Sequence, residues 1–290
     1  DLGSRGNYQR HSCAPWELGK YNTLSFGGWN GRGDLARSET TFEGQILSVS
    51  LETGEGNLRL KPFSLKLTYQ DPFQNILLGH LVDTNSELTA GYLRLTNNFT
   101  NEALELRDLS VEVFNETNED NKLMNFGFSL NVGEVMSSDY SAKEIVVRAD
   151  LKNLDIATLQ KFYTAGDYDF IGENTEEFLP LFSASPEINV TEISGITSHG
   201  QISGHLLTKL SGITSLPLDL GNPVFWLSKA TMDAKLSMSE ELVNWLSQEF
   251  PLIDPSMLLQ FATQQGDGIY ELRFELKDSE AILNGFPLAL

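Results

Sequence analysis

At 290 residues the chain is long enough to bury a large core, as one elongated domain or as two ordinary ones. Its 40 Asp and Glu against 20 Lys and Arg give a formal charge of −20, which repels phosphate backbones and anionic headgroups and argues against nucleic acid as a partner. The single cysteine, Cys13, excludes an intrachain disulfide and a cysteine-based metal cluster, and no run approaches the ~18 apolar residues that cross a bilayer as a helix.

Residues 1–40 are rich in Gly, Asn, Arg and Ser and carry little periodicity, so they read as an irregular lead-in to a first strand near Leu24 to Trp29. From Thr41 the pattern sharpens. Ile46, Val49 and Leu51 are followed by Leu58, Leu60, Phe63, Leu65, Leu67 and Tyr69, set on alternate positions around Pro62, and a period of two places such side chains on one sheet face. Further segments of this kind are 88–95, 104–114, 123–135 and 145–154, with polar turn-forming stretches such as 115–122 between them. Residues 41–154 therefore read as an antiparallel meander with one wet face.

At Asp155 the period changes. Asp155 can cap a helix that carries Ile156, Leu159, Phe162 and Tyr163 on one face and stops at Gly166. A second short helix should start near Asn174 or Thr175, with Pro180 kinking it or delaying its start. Strands 188–196 and 201–210 form an expected hairpin around Ser198, His199 and Gly200. After a Pro- and Gly-containing link over 216–223, residues 230–238 alternate again. Ser239 then caps a helix with Glu240 and Glu241 in its first turn and Leu242, Val243, Leu246 and Phe250 on its buried stripe. Asp254 and Pro255 start another helix, ending at Gly266, and strands 269–276 and 281–283 close the chain. Residues 155–290 thus supply helices and closing strands continuous with the same sheet. The expected fold is α+β and β-dominated, an extended twisted antiparallel sheet with a few short helices packed on part of one face.

The catalytic inventory is thin. His11, His80, His199 and His205 show no metal-binding spacing, although His199 and His205 flank a turn. Cys13 has no nearby paired His to lower its pKa and reads as a bystander. No Gly-x-Ser-x-Gly elbow is present. Asp167 with Asp169, and Glu176 with Glu177, are pairs that any chain with 40 acids contains. The run Asn115 to Asn121 lacks the sixth-position Gly and the twelfth-position Glu of a calcium loop and reads as a turn. Gly27, Gly28, Gly31 and Gly33 are followed by no Lys-Ser/Thr pair, so they are not a phosphate loop. Arg32, Gly33 and Asp34 spell a tripeptide that arises by chance, and the sequons at Asn98, Asn115 and Asn189 matter only in a eukaryotic secreted protein. No catalytic, cofactor-binding or metal site and no cofactor is expected. What remains is the amphipathic sheet: a core covered by helices in the ordinary reading, or, since four short helices are few for so long a sheet, a concave groove for an acyl chain or hydrophobic partner.

The stretch from Ser185, Pro186, Glu187 and Ile188 to Gly200 and Gly204, the strand-helix unit 232–246, and the ending 270–276 with Asn284, Gly285, Pro287 and Leu288 resemble the YdgA-like family of bacterial envelope proteins, with a weaker likeness over 104–135. The resemblance implies a periplasmic body tethered to the inner membrane by one N-terminal hydrophobic anchor. This chain begins with Asp and lacks that anchor, so it is expected to be the C-terminal part of a longer precursor. The family brings no catalytic residues. The function expected is that of a non-enzymatic envelope protein binding a lipid or other hydrophobic ligand in a groove of its sheet. A scaffold for a protein partner is the alternative, and a hydrolase with a convergent Ser/His/Asp or twin-acid cluster in a pocket is the second.

Overall fold

Strand dominates the computed structural model, which describes residues 4–8, 13–17, 22–36, 38–71, 73–118, 120, 122–165, 175–217, 219–249 and 260–288. The chain divides into two compact units, the first holding Asp1–Asn115 and Phe128–Val146, the second Glu116–Gly127 and Val147–Leu290.

In the first unit the strands are β1 (Ser4–Tyr8), β2 (Cys13–Glu17), β3 (Thr23–Phe26), β4 (Trp29–Leu35), β5 (Thr40–Ile46), β6 (Val49–Glu52), β7 (Gly56–Tyr69), β8 (Thr84–Asn97), most of β9 (Ala103–Thr117), and parts of β10 (Leu123–Met136) and β11 (Ser141–Asp155). The irregular lead-in expected over residues 1–40 is corrected here: β1 pairs with β4, β2 with β3, β3 with β6 and β4 with β5, all antiparallel. These strands hide their period because glycines occupy the positions that apolar residues would mark, with Gly31 directly opposite Gly44 and Gly33 opposite Phe42. Ladders then run β5–β7, β6–β7, β7–β8 and β8–β9, the meander the alternation predicts. At 14 residues for β7 and β8 and 15 for β9, these strands far exceed the usual ~5–6. A short helix that the sequence reading missed, α1 (Phe73–Leu77), interrupts the meander. Asp71 ties it down, receiving the Asn75 amide on its carboxylate at 2.7 Å and the buried Thr40 hydroxyl on its carbonyl at 3.2 Å.

The second unit is built on the expected hairpin of β12 (Glu187–Thr197) and β13 (Gly200–Leu210), continued by β14 (Ala230–Ser239), β16 (Ile269–Lys277), β17 (Glu280–Leu283) and β18 (Phe286–Leu288). Helix α2 (Ile156–Ala165) starts where Asp155 accepts the Thr158 N–H at 2.8 Å and its hydroxyl at 2.6 Å. Pro180 delays the second helix: a 3₁₀ turn over Thr175–Phe178 precedes α3 (Leu179–Ser183), with Pro in its first turn. Helix α4 (Pro223–Lys229) was missed, although Asn222 accepts the Val224 N–H and Pro223 fixes the first helical φ. Helix α5 (Glu240–Glu249) is as expected, while the Ser239 hydroxyl donates to the His199 carbonyl at 3.2 Å. The helix expected from Asp254 to Gly266 lies outside the described residues over its first part, 254–259. Its described end is corrected, because Thr263–Gln265 is a strand, β15, turned through a 3₁₀ Gly266–Gly268 onto β16.

The second unit's core sits under its helices. Met238, Leu242 and Val243 are buried with Ile202, Leu236, Trp245 and Leu246 around them, and Ala230, Leu276 and Ala281 with Leu210, Leu227, Met232, Phe274 and Leu288. Rings join the helices to one another, Phe162 to Phe178 at 4.5 Å and Phe182 to Trp226 at 5.0 Å between centroids.

Candidate functional site: a creased apolar sheet

The apolar alternation of the first unit slips by one residue in every long strand, and always at the same level. Phe26 is followed by Trp29, Ile46 by Val49, Leu60 by Phe63, Ala90 by Leu93 and Leu106 by Leu109. The ladders place these slips side by side: Phe26 faces Val49, Val49 faces Leu60, Leu60 faces Leu93 and Leu93 faces Leu106, while Trp29 faces Ile46, Ile46 faces Phe63, Phe63 faces Ala90 and Ala90 faces Leu109. In β10 the slip runs from Val132 to Val135 around Gly133, which lies against Asp108 of β9. In β11 it runs from Ala142 to Ile145 around Glu144, which counting back from the Ser137–Tyr140 hairpin bond puts opposite Gly133.

A one-residue slip in a flat strand would throw all later side chains onto the other face. Here left-handed backbone at Gly28 (φ 101), Asp108 (φ 53) and Glu144 (φ 54) re-aims the chain. At the same level Leu47 donates to the Gly28 carbonyl, Gly27 donates to Ser48, and Pro62, which has no N–H for a ladder, packs on Gly91, where a Cβ would stand 3.0 Å from the ring. The result is a transverse crease that keeps one apolar face throughout and leaves the pairing register unchanged on either side.

Exposure shows which way the crease folds. Ala90, Val132 and Ala142 border it and are buried, whereas Leu65, Leu95, Leu104, Val113 and Phe128, one or two apolar positions further out, are 38–44% exposed. Side chains converge on the inside of a fold and splay at its lips, so the sheet bends toward its apolar side and forms a trough. Trp29 is the exception at 38%, its ring lying over Gly31. A cavity of about 180 Å³ opens on this wing among Trp29, Phe42, Leu65 and the side-chain-free Gly31, Gly33 and Gly44. At the hairpin end a cavity of about 580 Å³ includes Leu95, Leu104, Glu55, Glu102 and Asp139. The opposite face is charged, with Glu43, Lys66, Glu87 and Glu112 in one cross-strand row.

The polar candidates are not gathered into a site. His199 stacks on Trp245 at 4.9 Å, and His205, six residues further along the chain in β13, bonds Asp233 at 3.1 Å on the charged face of the second unit. His80 is exposed, and Glu177 pairs with Lys161 at 3.0 Å. Asn115 is spent inside the sheet, accepting from the Thr84 hydroxyl and donating to the Val82 carbonyl, and Asn118 caps the turn to Lys122 and Leu123. Asn98 donates to the Thr53 carbonyl at 3.1 Å, and Asn189 lies in β12 opposite Leu207. Arg32 and Asp34 pair with each other along β4 at 3.8 Å. His11, Asp167 and Asp169 lie outside the described residues, as do parts of the 115–121 run, while the backbone of Cys13 opens β2. Among the described residues no group of three or more His, Cys, Asp or Glu is placed to hold a metal ion, and no helix is long and apolar enough to cross a membrane. Sequence reasoning marked the apolar residues of the trough, and the Leu60–Pro62–Phe63 spacing was the visible sign of its crease.

Fold and site together define a β-dominated protein of long antiparallel strands that presents a creased, partly exposed apolar sheet face. The chain belongs to the DUF945 family, bacterial proteins of unknown function, which matches residues 10–290. No curated protein and no solved structure matches it.

Proposed function

We propose that this is a non-enzymatic envelope protein that holds the acyl chain of a lipid in the trough of its first unit. The observation that carries this reading is the paired rows of aliphatic and aromatic side chains along the crease, flanked by leucines left more than a third exposed. A flexible hydrocarbon chain suits such a surface, since removing ~25 cal/mol per Å² of apolar area from water rewards contact with no need for polar recognition. The family's bacterial origin and the resemblance to anchored envelope proteins support a periplasmic location, with the tether contributed by a longer precursor.

Native mass spectrometry of the protein purified from its own host tests the reading. A retained lipid adduct, released by organic solvent, is the expected result. Bare polypeptide alone would overturn it and favour a scaffold for a protein partner. A reporter enzyme active only in the periplasm, fused to the C-terminus of the full-length precursor, tests location: activity is expected, and inactivity of an expressed fusion refutes it.

A further inference from the structure

On the charged face of the first unit, away from the trough, Arg59 of β7 stands directly opposite Arg94 of β8. Like charges so placed destabilise a ladder unless something neutralises them. Their neutralisation within the chain is incomplete. Arg59 Nη2 reaches Glu52 at 3.5 Å, and Arg94 Nε reaches Glu105 at 3.4 Å. That Nε is closed off from solvent and makes no hydrogen bond. Glu105 is shared, taking Arg107 Nη2 at 3.3 Å, and Arg107 also binds Glu134 at 3.1 Å.

A cavity of about 170 Å³ lies between the two arginines, lined by Asn57, Arg59, Arg94 and Thr96. The Asn57 amide is committed to Asn98 at 3.2 Å and the Thr96 hydroxyl to the Asn57 carbonyl at 3.4 Å. The donors left for an occupant are Arg59 Nη1 and the two Nη groups of Arg94, which have no partner among the described residues. Lys61, two positions along from Arg59, adds a further cation, so Arg59, Lys61, Arg94 and Arg107 meet Glu52, Glu105 and Glu134 in a local excess of positive charge within a chain of net −20.

We propose that Arg59 and Arg94 form a binding site for a phosphoryl group, free or carried on a lipid headgroup. Two planar guanidinium forks suit a tetrahedral oxyanion, which offers each of them a pair of acceptor oxygens. The site stands on geometry independent of the trough, so it survives if the trough proves empty.

Nitrogen-edited NMR of the arginine Nε–H resonances tests it at constant ionic strength, with inorganic phosphate in one arm and monomeric dihexanoyl phosphatidylglycerol in the other. Saturable shifts at Arg59 and Arg94, with Arg148 of the second unit unmoved, are expected. Tighter binding of the phosphatidylglycerol identifies the headgroup as source, and equal binding identifies the free oxyanion. R59Q and R94Q should each weaken phosphate by about tenfold, and E105Q, which removes the competing carboxylate, should tighten it. Absence of saturation in both arms, or undiminished binding to the folded R59Q/R94Q double variant, would overturn the proposal.

Discussion

Asn284 shows how one side chain can close a sheet edge. With Gly285 it turns β17 into β18, both residues at positive φ (48 and 84), the pairing that a two-residue hairpin turn requires. Its Oδ1 accepts the Arg273 N–H at 2.6 Å, while its Nδ2 donates to the Glu271 carbonyl at 2.9 Å and to the Phe261 carbonyl. Asn284→Ala removes these bonds and leaves a β-carbon in left-handed backbone, so it should destabilise the second unit by about 2–4 kcal/mol. Asn284→Asp keeps the acceptor and should cost less. Urea unfolding followed by tryptophan fluorescence checks both, and equal losses would refute the division of labour. Glu144, at φ 54 within β11, makes the opposite case: Glu144→Gly relieves left-handed strain and should raise stability by about 1 kcal/mol, read as an increase in Tm. The Asn-Gly pair is a local turn signal, yet it was read from the sequence only through the family resemblance, and with strand 281–283 expected to close the chain, β18 was not foreseen. The Arg59–Arg94 pair was not legible in the sequence, since only strand register brings together two residues so far apart in the chain.

At the level of whole strands, the crease depends on every strand taking its extra residue at one level. Deleting Pro62 from β7 would remove the slip in that strand alone. Phe63, Leu65, Leu67 and Tyr69 would then turn to the charged face beside Glu43 and Glu87, with Lys66 turned to the apolar one, or else the β7–β8 ladder would shift register and leave Gly91 without its partner. Either outcome should abolish cooperative unfolding of the first unit, whereas Pro62→Val keeps the residue count and should leave the fold in place. Circular dichroism melts of the two variants decide the matter; a deletion that melts like the parent would mean that the slip is incidental. Period two sufficed to find β7 to β11, because large side chains mark it. The expected first strand near Leu24 to Trp29 is met by β3, but period two failed over β1, β2 and most of β4, where glycines such as Gly6 and Gly33, or Gly31 and Gly44, face one another and hydrogen bonding to neighbours holds the strands. It also failed at α4, whose signal is the cap Asn222 followed by Pro223, in a stretch that composition reads as a link. The slip at Pro62 was visible in one strand; its alignment with six others is a property of pairing and could not be read from any segment alone.

Across the molecule, the two units treat the same kind of amphipathic sheet differently. The second covers its apolar side with helices, as Leu242 and Val243 on Met238 and Leu227 beside Ala230 and Leu276 show, whereas the helix described in the first unit's meander is the five-residue α1. An exposed apolar face invites self-association, and a net charge of −20 opposes it by repulsion between copies. The balance should therefore be salt-dependent. Protein stripped of ligand should sediment as a monomer at low ionic strength and self-associate as salt shortens the Debye length from ~10 Å at 0.1 M to ~3 Å at 1 M, while lipid-loaded protein, its trough filled, should remain monomeric in both. Leu95 and Leu104 face each other at the lip and are 41% and 38% exposed, so Leu95→Asp with Leu104→Asp should spare the fold, reduce lipid retention and suppress the salt-induced association together. Analytical ultracentrifugation across the salt series, paired with lipid extraction, measures both. If association persists in the double variant while lipid is lost, the surface that meets another copy is not the surface proposed to hold an acyl chain.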